Sequence, residues 1–407
     1  MTATSAPGTS LSHLVGVLGG RRVATVDAAG TVRPERGLWA LEWWVGADDR
    51  WHLPRREAAV RQSLVEHMPV VRTSMRVPGG DAVHEAFGAT TDTAVVDVEN
   101  ASPAPFVAAF VVRGATVLML DGTTVFVDGV PALTAVRPPS RWAASIDGTL
   151  TDVVTTGGAL EGSMPVVRDR RACVDGAFLY PVAHRTRVRM GVALGRRDGA
   201  GLAAVNLTAV PTPDAVARGW RAQLGRGMRV DVPDAVLADA IDASRAQLLL
   251  AGQAWRADPA VYAALEDWGF DDEALAAWAR LGLIDRRRSR RRARSPAAPS
   301  WDALRRLAAT ESSPAELLRG VRDTLVRDEG TVISVLSEWP AEWHGRPLDV
   351  RDAPTRRGPV SCSVRWHGDR PALLWEAPPG VTLRAPGLDP AWSTTEPRGE
   401  TLLSPRA

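Results

Sequence analysis

Lysine is missing from this chain. All 49 basic residues are arginine, a bias that reflects a GC-rich coding sequence and names no partner. Cysteine is nearly missing too. Cys173 and Cys362 lie far apart, which argues against a disulfide framework and a structural zinc site. No apolar run is long enough to span a bilayer. The first residues, Met1 to Ser12, are polar and carry no secretory signal, so a cytoplasmic location is expected. The formal net charge of +2 is too small to single out a polyanionic partner. The seven histidines show no metal-ligand spacing, and no phosphate-binding glycine loop or Ser/His/Asp set is legible. The expectation is a protein without metal or cofactor, and without nucleic acid or membrane as partner.

What is present describes a globular protein with several domains. At 407 residues, two or three domains are expected, and 45% hydrophobic with 24% charged residues gives them ample core. Residues 12–210 read as β. Gly19-Gly20 and Asp121-Gly122 each separate apolar runs, as hairpin turns do, and Asn100-Ala101-Ser102-Pro103-Ala104-Pro105 reads as a turn. Arg185, Arg187 and Arg189 alternate with Thr186, Val188 and Met190, as in a strand with one wet face. Many such strands imply a large antiparallel sandwich.

Helical period takes over from Val232 to Gly330. Pro233 and Gly252 bracket one segment. Asp258-Pro259 is a cap followed by proline at the first helical position. Val261, Leu265 and Trp268 share a face, and Gly269 suits the left-handed residue after a helix. Asp271 is expected to cap a third helix carrying Leu275 and Trp278. Ser300 is expected to cap a fourth, and Ser313 to Glu316 forms a capping box for a fifth. Short loops make these antiparallel hairpins. From 331 to 407 the pattern returns to β, with Val360, Cys362, Val364 and Trp366 alternating with polar residues.

Four stretches carry a family resemblance. They are Val70 to Thr73 with Val77 to Ala82, then Val98 to Pro103, and Ala264-Leu265-Glu266-Asp267-Trp268-Gly269-Phe270. The fourth is a C-terminal set of Glu342 to Gly345, Ala353 to Arg356, Arg365 to Gly368, Ala372 to Glu376 and Ala385 to Pro390. In these the chain resembles the actinobacterial glucoamylase- and trehalase-like branch of the six-hairpin glycosidase superfamily. The resemblance implies a multidomain α+β chain. An N-terminal antiparallel β-supersandwich would span 12–210, a partial (α/α) toroid of helical hairpins 211–330, and a small C-terminal β cap 331–407. One departure stands out. The roughly 120 residues of the middle part allow about six helices, half of what the family's closed toroid needs.

The resemblance also implies a small-molecule carbohydrate as ligand, with α-glucosides as substrates. Glycoside hydrolysis needs a protonated acid and a second carboxylate, ~5–10 Å apart. Trp301-Asp302-Ala303 resembles the start of a late toroid helix, which makes Asp302 the candidate acid. Glu266, beside Asp267 at a helix end, and Glu338, before Trp339-Pro340, are the candidate bases. Structural roles compete for each. Asp302 would complement a helix dipole, Glu266 and Asp267 would be solvated, and Glu338 would pair with an arginine. Fifteen tryptophans against two tyrosines add a sugar-stacking cue. Trp301, Trp343, Trp366 and His367 are the candidate substrate contacts. Trp268 and Trp278 fall on apolar faces and are expected in the core. A working hydrolase, a sugar binder that has lost catalysis and a structural or interaction protein all stay open at this point. An open half toroid would expose apolar helix faces and favour a homodimer. The seven arginines between Arg286 and Arg294 form a charged loop with no recognition pattern.

Overall fold

The computed structural model describes residues 12–404, apart from 21, 36, 172–173, 196–201, 203–204, 255–257, 281–297 and 311–312. The arginine run, Cys173 and Trp255 lie outside the described residues. The chain is a sheet-rich α+β protein that divides into two compact units.

The first unit holds the described residues of 1–218 and 253–255. It contains an eight-stranded and a nine-stranded sheet, both antiparallel. The middle of the first is formed by Ala40–Gly46, Phe106–Ala115 and Val174–Val182. The middle of the second is formed by Val70–Val77, Gly80–Thr90, Thr93–Asn100 and Arg187–Ala193. Strand alternation decides the layering. Trp43, Phe110 and Phe178 join Met75, Val96 and Met190 in one core. Their chain neighbours Trp44, Val111 and Leu179 face the other way, where helix α1 (Leu150–Thr155) covers them with Leu150 and Val154. The turn after Asn100 is held by its own side chain. The amide donates to Ala104 O (2.8 Å) and Val182 O (3.1 Å), and Oδ1 accepts from Ser102 N (2.9 Å) and Oγ (2.7 Å).

Helix α2 (Pro213–Leu224) spans the point where the chain passes between units. The second unit holds the described residues of 219–252 and 256–407. Its helices are α3 (Ala235–Ala251), α4 (Pro259–Asp267), α5 (Asp271–Trp278), α6 (Trp301–Ala309) and α7 (Pro314–Leu325). Helices α3 and α7 pack on each other, and each also packs on α4 and α6, while α5 lies on α4. Trp268, Trp278, Leu249, Leu318 and Leu325 are buried among them.

Most of the punctuation is as the sequence expects. Asp258 caps α4 through Ala260 N (2.8 Å) and Ser300 caps α6 through Ala303 N (3.3 Å). Two caps differ. Phe270 holds the position before α5, so Asp271 is the first helical residue, where its charge complements the dipole. Ser313 precedes α7, but its side chain makes no capping bond.

Two small sheets complete this unit. The five-stranded one includes Leu348–Ala353, Val360–His367 and Arg370–Glu376. In the four-stranded one, Val326–Asp328 continues directly from α7, and Val332–Val335 pairs in parallel with Thr382–Ala385. No described helix is long and apolar enough to cross a membrane.

Candidate functional site

A concavity of about 680 Å³ opens in the second unit. That falls within the ~300–1,000 Å³ of typical small-molecule sites. An apolar crevice in the first unit, lined by Leu38, Trp39, Val127 and Pro131, measures only about 50 Å³, too little for a sugar ring.

Three segments build the larger site. The first is the end of α4, which presents Glu266 and Asp267. The chain turns sharply there because Gly269 takes φ +74°, and a Cβ on it would meet Pro354 Cγ at 3.3 Å. The turn is anchored by Trp268. Its indole donates to Leu318 O (2.9 Å), its carbonyl accepts from Met228 N (2.9 Å), and the Arg245 guanidinium lies over its ring. The second segment is α7 with the strand after it. One helix face carries Arg319, Arg322 and Asp323, and Arg327, Asp328 and Glu329 follow. The third is Pro354 to Arg356. Arg322 Nη2 donates to Pro354 O (2.7 Å), and Asp328 Oδ2 accepts from Arg356 N (2.8 Å). Apart from Pro354 and Thr355 the lining is ionic, and no aromatic side chain belongs to it among the described residues.

The ion pairs inside it are loose. Asp267 Oδ2 lies 3.7 Å from Arg319 Nε, and Asp323 Oδ1 lies 3.5 Å from Arg322 Nη1. These distances are at or beyond hydrogen-bond reach. The Nε atoms of Arg319 and Arg322 are buried without a hydrogen-bond acceptor among the described residues.

Asp267 keeps 38% of its side-chain surface, but that surface faces the concavity, and protein encloses the rest. Burial therefore raises its pKa above the ordinary carboxylate value. Arg322 and Arg319 offset part of that rise, and Asp323 and Glu266 add to it. A carboxyl at the last turn of a helix also opposes the helix dipole. The direction of that shift is the one a proton donor requires.

No protein-family model and no curated protein matches the chain. Among solved structures it is similar to the family GH92 α-mannosidase of Bacteroides thetaiotaomicron, at 9% identity and a TM-score of 0.26. The match covers 58% of this chain and 38% of that one. A likeness at that score carries no argument about fold or activity.

The structure separates the candidate residues into two groups. Glu266 lies in the concavity, whereas Asp302 and Glu338 do not line it. Asp302 is 74% exposed and pairs with Arg305 at 3.0 Å. Glu338 Oε2 accepts the backbone N–H of Trp301 (3.1 Å), capping α6, and its carbonyl accepts the Trp301 indole (3.1 Å).

The aromatic candidates gather in this second place. Trp301 and Trp343 are both 1% exposed, with ring centroids 4.5 Å apart. Trp339 and Trp366 extend the cluster outward to His344. Trp366 is half-buried and donates to Arg346 O (2.8 Å), and His367 is exposed at its strand end. The cluster is a packed aromatic core with one partly open edge. Sequence reasoning missed Arg319, Arg322, Asp323, Asp328 and Arg356. One signal was available. Arg322 stands between Leu318 and Leu325 on the apolar stripe of α7, where a charge is out of place.

Proposed function

We propose that this chain is a carbohydrate-active protein of glycoside hydrolase type, with its site in the concavity at the end of α4. The supporting observation is Asp267, a carboxyl whose pKa burial raises and which faces an open ionic pocket beside a second carboxylate, Glu266. In this reading Asp267 gives its proton to the glycosidic oxygen as that bond breaks. Glu266 stabilises the charge developing on the sugar or activates water. Consecutive helical residues point ~100° apart, so the two carboxyls flank a ligand rather than share one face of it. Asp323 and Asp271 supply further acceptors for hydroxyl groups. The resemblance of Ala264 to Phe270 to a toroid hairpin supports the same reading, with the helices as a shortened (α/α) toroid and α-glucosides as substrates.

A second reading is a sugar-binding or interaction protein without catalysis. Two observations favour it: Glu338 is engaged as a helix cap, and no aromatic among the described residues lines the concavity.

Sugar release from α- and β-glucosides and trehalose tests the proposal. Asp267→Asn should abolish turnover and Asp302→Asn should leave it intact. Undiminished turnover in Asp267→Asn overturns the assignment. Binding of sugars without turnover by the wild-type protein selects the second reading.

A further inference from the structure

We infer that the concavity takes a sugar carrying an anionic group, a uronate carboxylate or a phosphate ester, which docks on Arg319 and Arg322. This rests on the carbohydrate reading above and adds the charge of the ligand. The argument begins from how the lining charges are satisfied. Asp328 accepts the N–H groups of Gly330 and Arg356, and Arg356 Nε stands 3.9 Å away. Glu329 lies 3.2 Å from Arg327 Nε. Glu329 and Asp328 are engaged in this way, although the Arg356–Asp328 ion pair is itself loose.

Arg319 and Arg322 are different. They sit one turn apart on α7 and reach the same floor. Their counterions are Asp267 and Asp323, at 3.7 and 3.5 Å, and both Nε atoms are buried without acceptors among the described residues. Arg322 is 7% exposed and is fixed by Pro354 O.

Arg322 is buried, Arg319 keeps 20% of its side-chain surface, and neither charge is closely neutralised within the lining. Asp267 is a poor resident acceptor, because burial favours its neutral form. At 3.7 Å from Arg319 it also lies beyond hydrogen-bond reach. A carboxylate or phosphate has the geometry to accept from both guanidinium groups. A neutral sugar offers only hydroxyls, which bind guanidinium more weakly. The remaining carboxylates, Glu266 and Asp271, then face the ligand's hydroxyl groups rather than its charge. The site so read has a basic floor for the anion and acidic walls for the ring.

The experiment is titration calorimetry on the full chain with four probes: methyl glucuronide, glucose 6-phosphate, methyl glucoside and inorganic phosphate. The expected result is that one or both anionic sugars bind at least ~10-fold more tightly than methyl glucoside, a difference of ~1.4 kcal/mol. Methyl glucuronide as the tighter anionic probe names a carboxylate, and glucose 6-phosphate names a phosphate. Arg319→Gln should erase the preference, and Arg319→Lys should keep most of it. If Arg319→Gln does not fold, the wild-type ranking and the lysine variant decide. Equal affinity for the glucoside and both anionic sugars overturns the inference and leaves the carbohydrate reading standing. Inorganic phosphate binding as tightly as glucose 6-phosphate overturns it as an adventitious anion. Binding of none of the sugars overturns both.

Discussion

Replacing Glu338 by alanine separates a helix cap from a catalytic base. The Glu338 carboxylate accepts the N–H of Trp301, the first residue of α6. Three backbone bonds hold that carboxylate in place. Leu336 N donates to Leu325 O, Ser337 N to Thr324 O, and Gly387 N to Leu336 O, each at 2.8–2.9 Å. The side chain is therefore delivered to the helix start by a pinned segment. Removing it strands the Trp301 N–H beside a buried indole. A hydrogen bond to a charged acceptor contributes ~1.5–3 kcal/mol, and a helix cap ~1 kcal/mol. These describe one interaction and are not summed, so the expected loss is about 2 kcal/mol. For a unit of this size that lowers Tm by about 4–8 °C.

Urea titration followed by far-UV circular dichroism reads this unit, which holds most of the helix. Glu338→Gln keeps an acceptor oxygen and should lose about half as much. Turnover of any sugar substrate should persist in both variants. Loss of turnover with stability changed by less than about 0.5 kcal/mol would refute the reasoning and return Glu338 to the catalytic set.

Three other outcomes are expected. Asp267→Asn should stabilise the protein at neutral pH. A raised native pKa favours the native state in acid, and that contribution is lost as pH rises from the unfolded carboxylate value through the native one. The gain in the variant should therefore vanish towards acid, and an Asn variant that melts lower than wild type at neutral pH would contradict the assignment. Gly387→Ala should destabilise by about 2–3 kcal/mol, because its Cβ would lie 2.4 Å from Leu336 O and 2.7 Å from Glu338 C. Its effect should be non-additive with Glu338→Ala in a double-mutant cycle, since both disturb one segment. Asn100→Ala should cost the first unit about 3–4 kcal/mol in denaturant titration, from four hydrogen bonds around one buried amide. Sugar turnover should survive it.

Local chemistry explains which features could be read in advance. The cap at Asp258, the left-handed Gly269 and the turn at Asn100 depend on a few adjacent residues, and all three stand as their sequence implies. Helical period, which also needs only neighbours, turned Trp268, Trp278 and Leu275 inward; both tryptophans are buried, but Leu275 is 67% exposed. Glu338 belongs to another class. Its partner, Trp301, is 37 positions away, and no periodicity connects them. The same holds for the concavity, where the end of α4, one face of α7 and the turn after Ala353 meet only through tertiary packing. Trp343, beside His344-Gly345, was expected to contact substrate. It is buried because α6 sets Trp301 against it.

Position on a helix distinguishes the two groups of acids more sharply than distance does. Asp302 and Glu338 serve the N-terminus of α6, one as a first-turn residue and the other as acceptor for its first N–H. A negative charge stabilises a helix there, so these residues have a sufficient structural reason to exist. Glu266 and Asp267 end α4, where the dipole opposes negative charge, and Asp267 is partly enclosed beside a loose counterion. A residue that the fold tolerates at a cost, facing a cavity large enough for a sugar, is where a proton donor is to be sought. The electrostatics of α4 therefore favour testing Asp267 as the acid ahead of the sequence motif around Asp302.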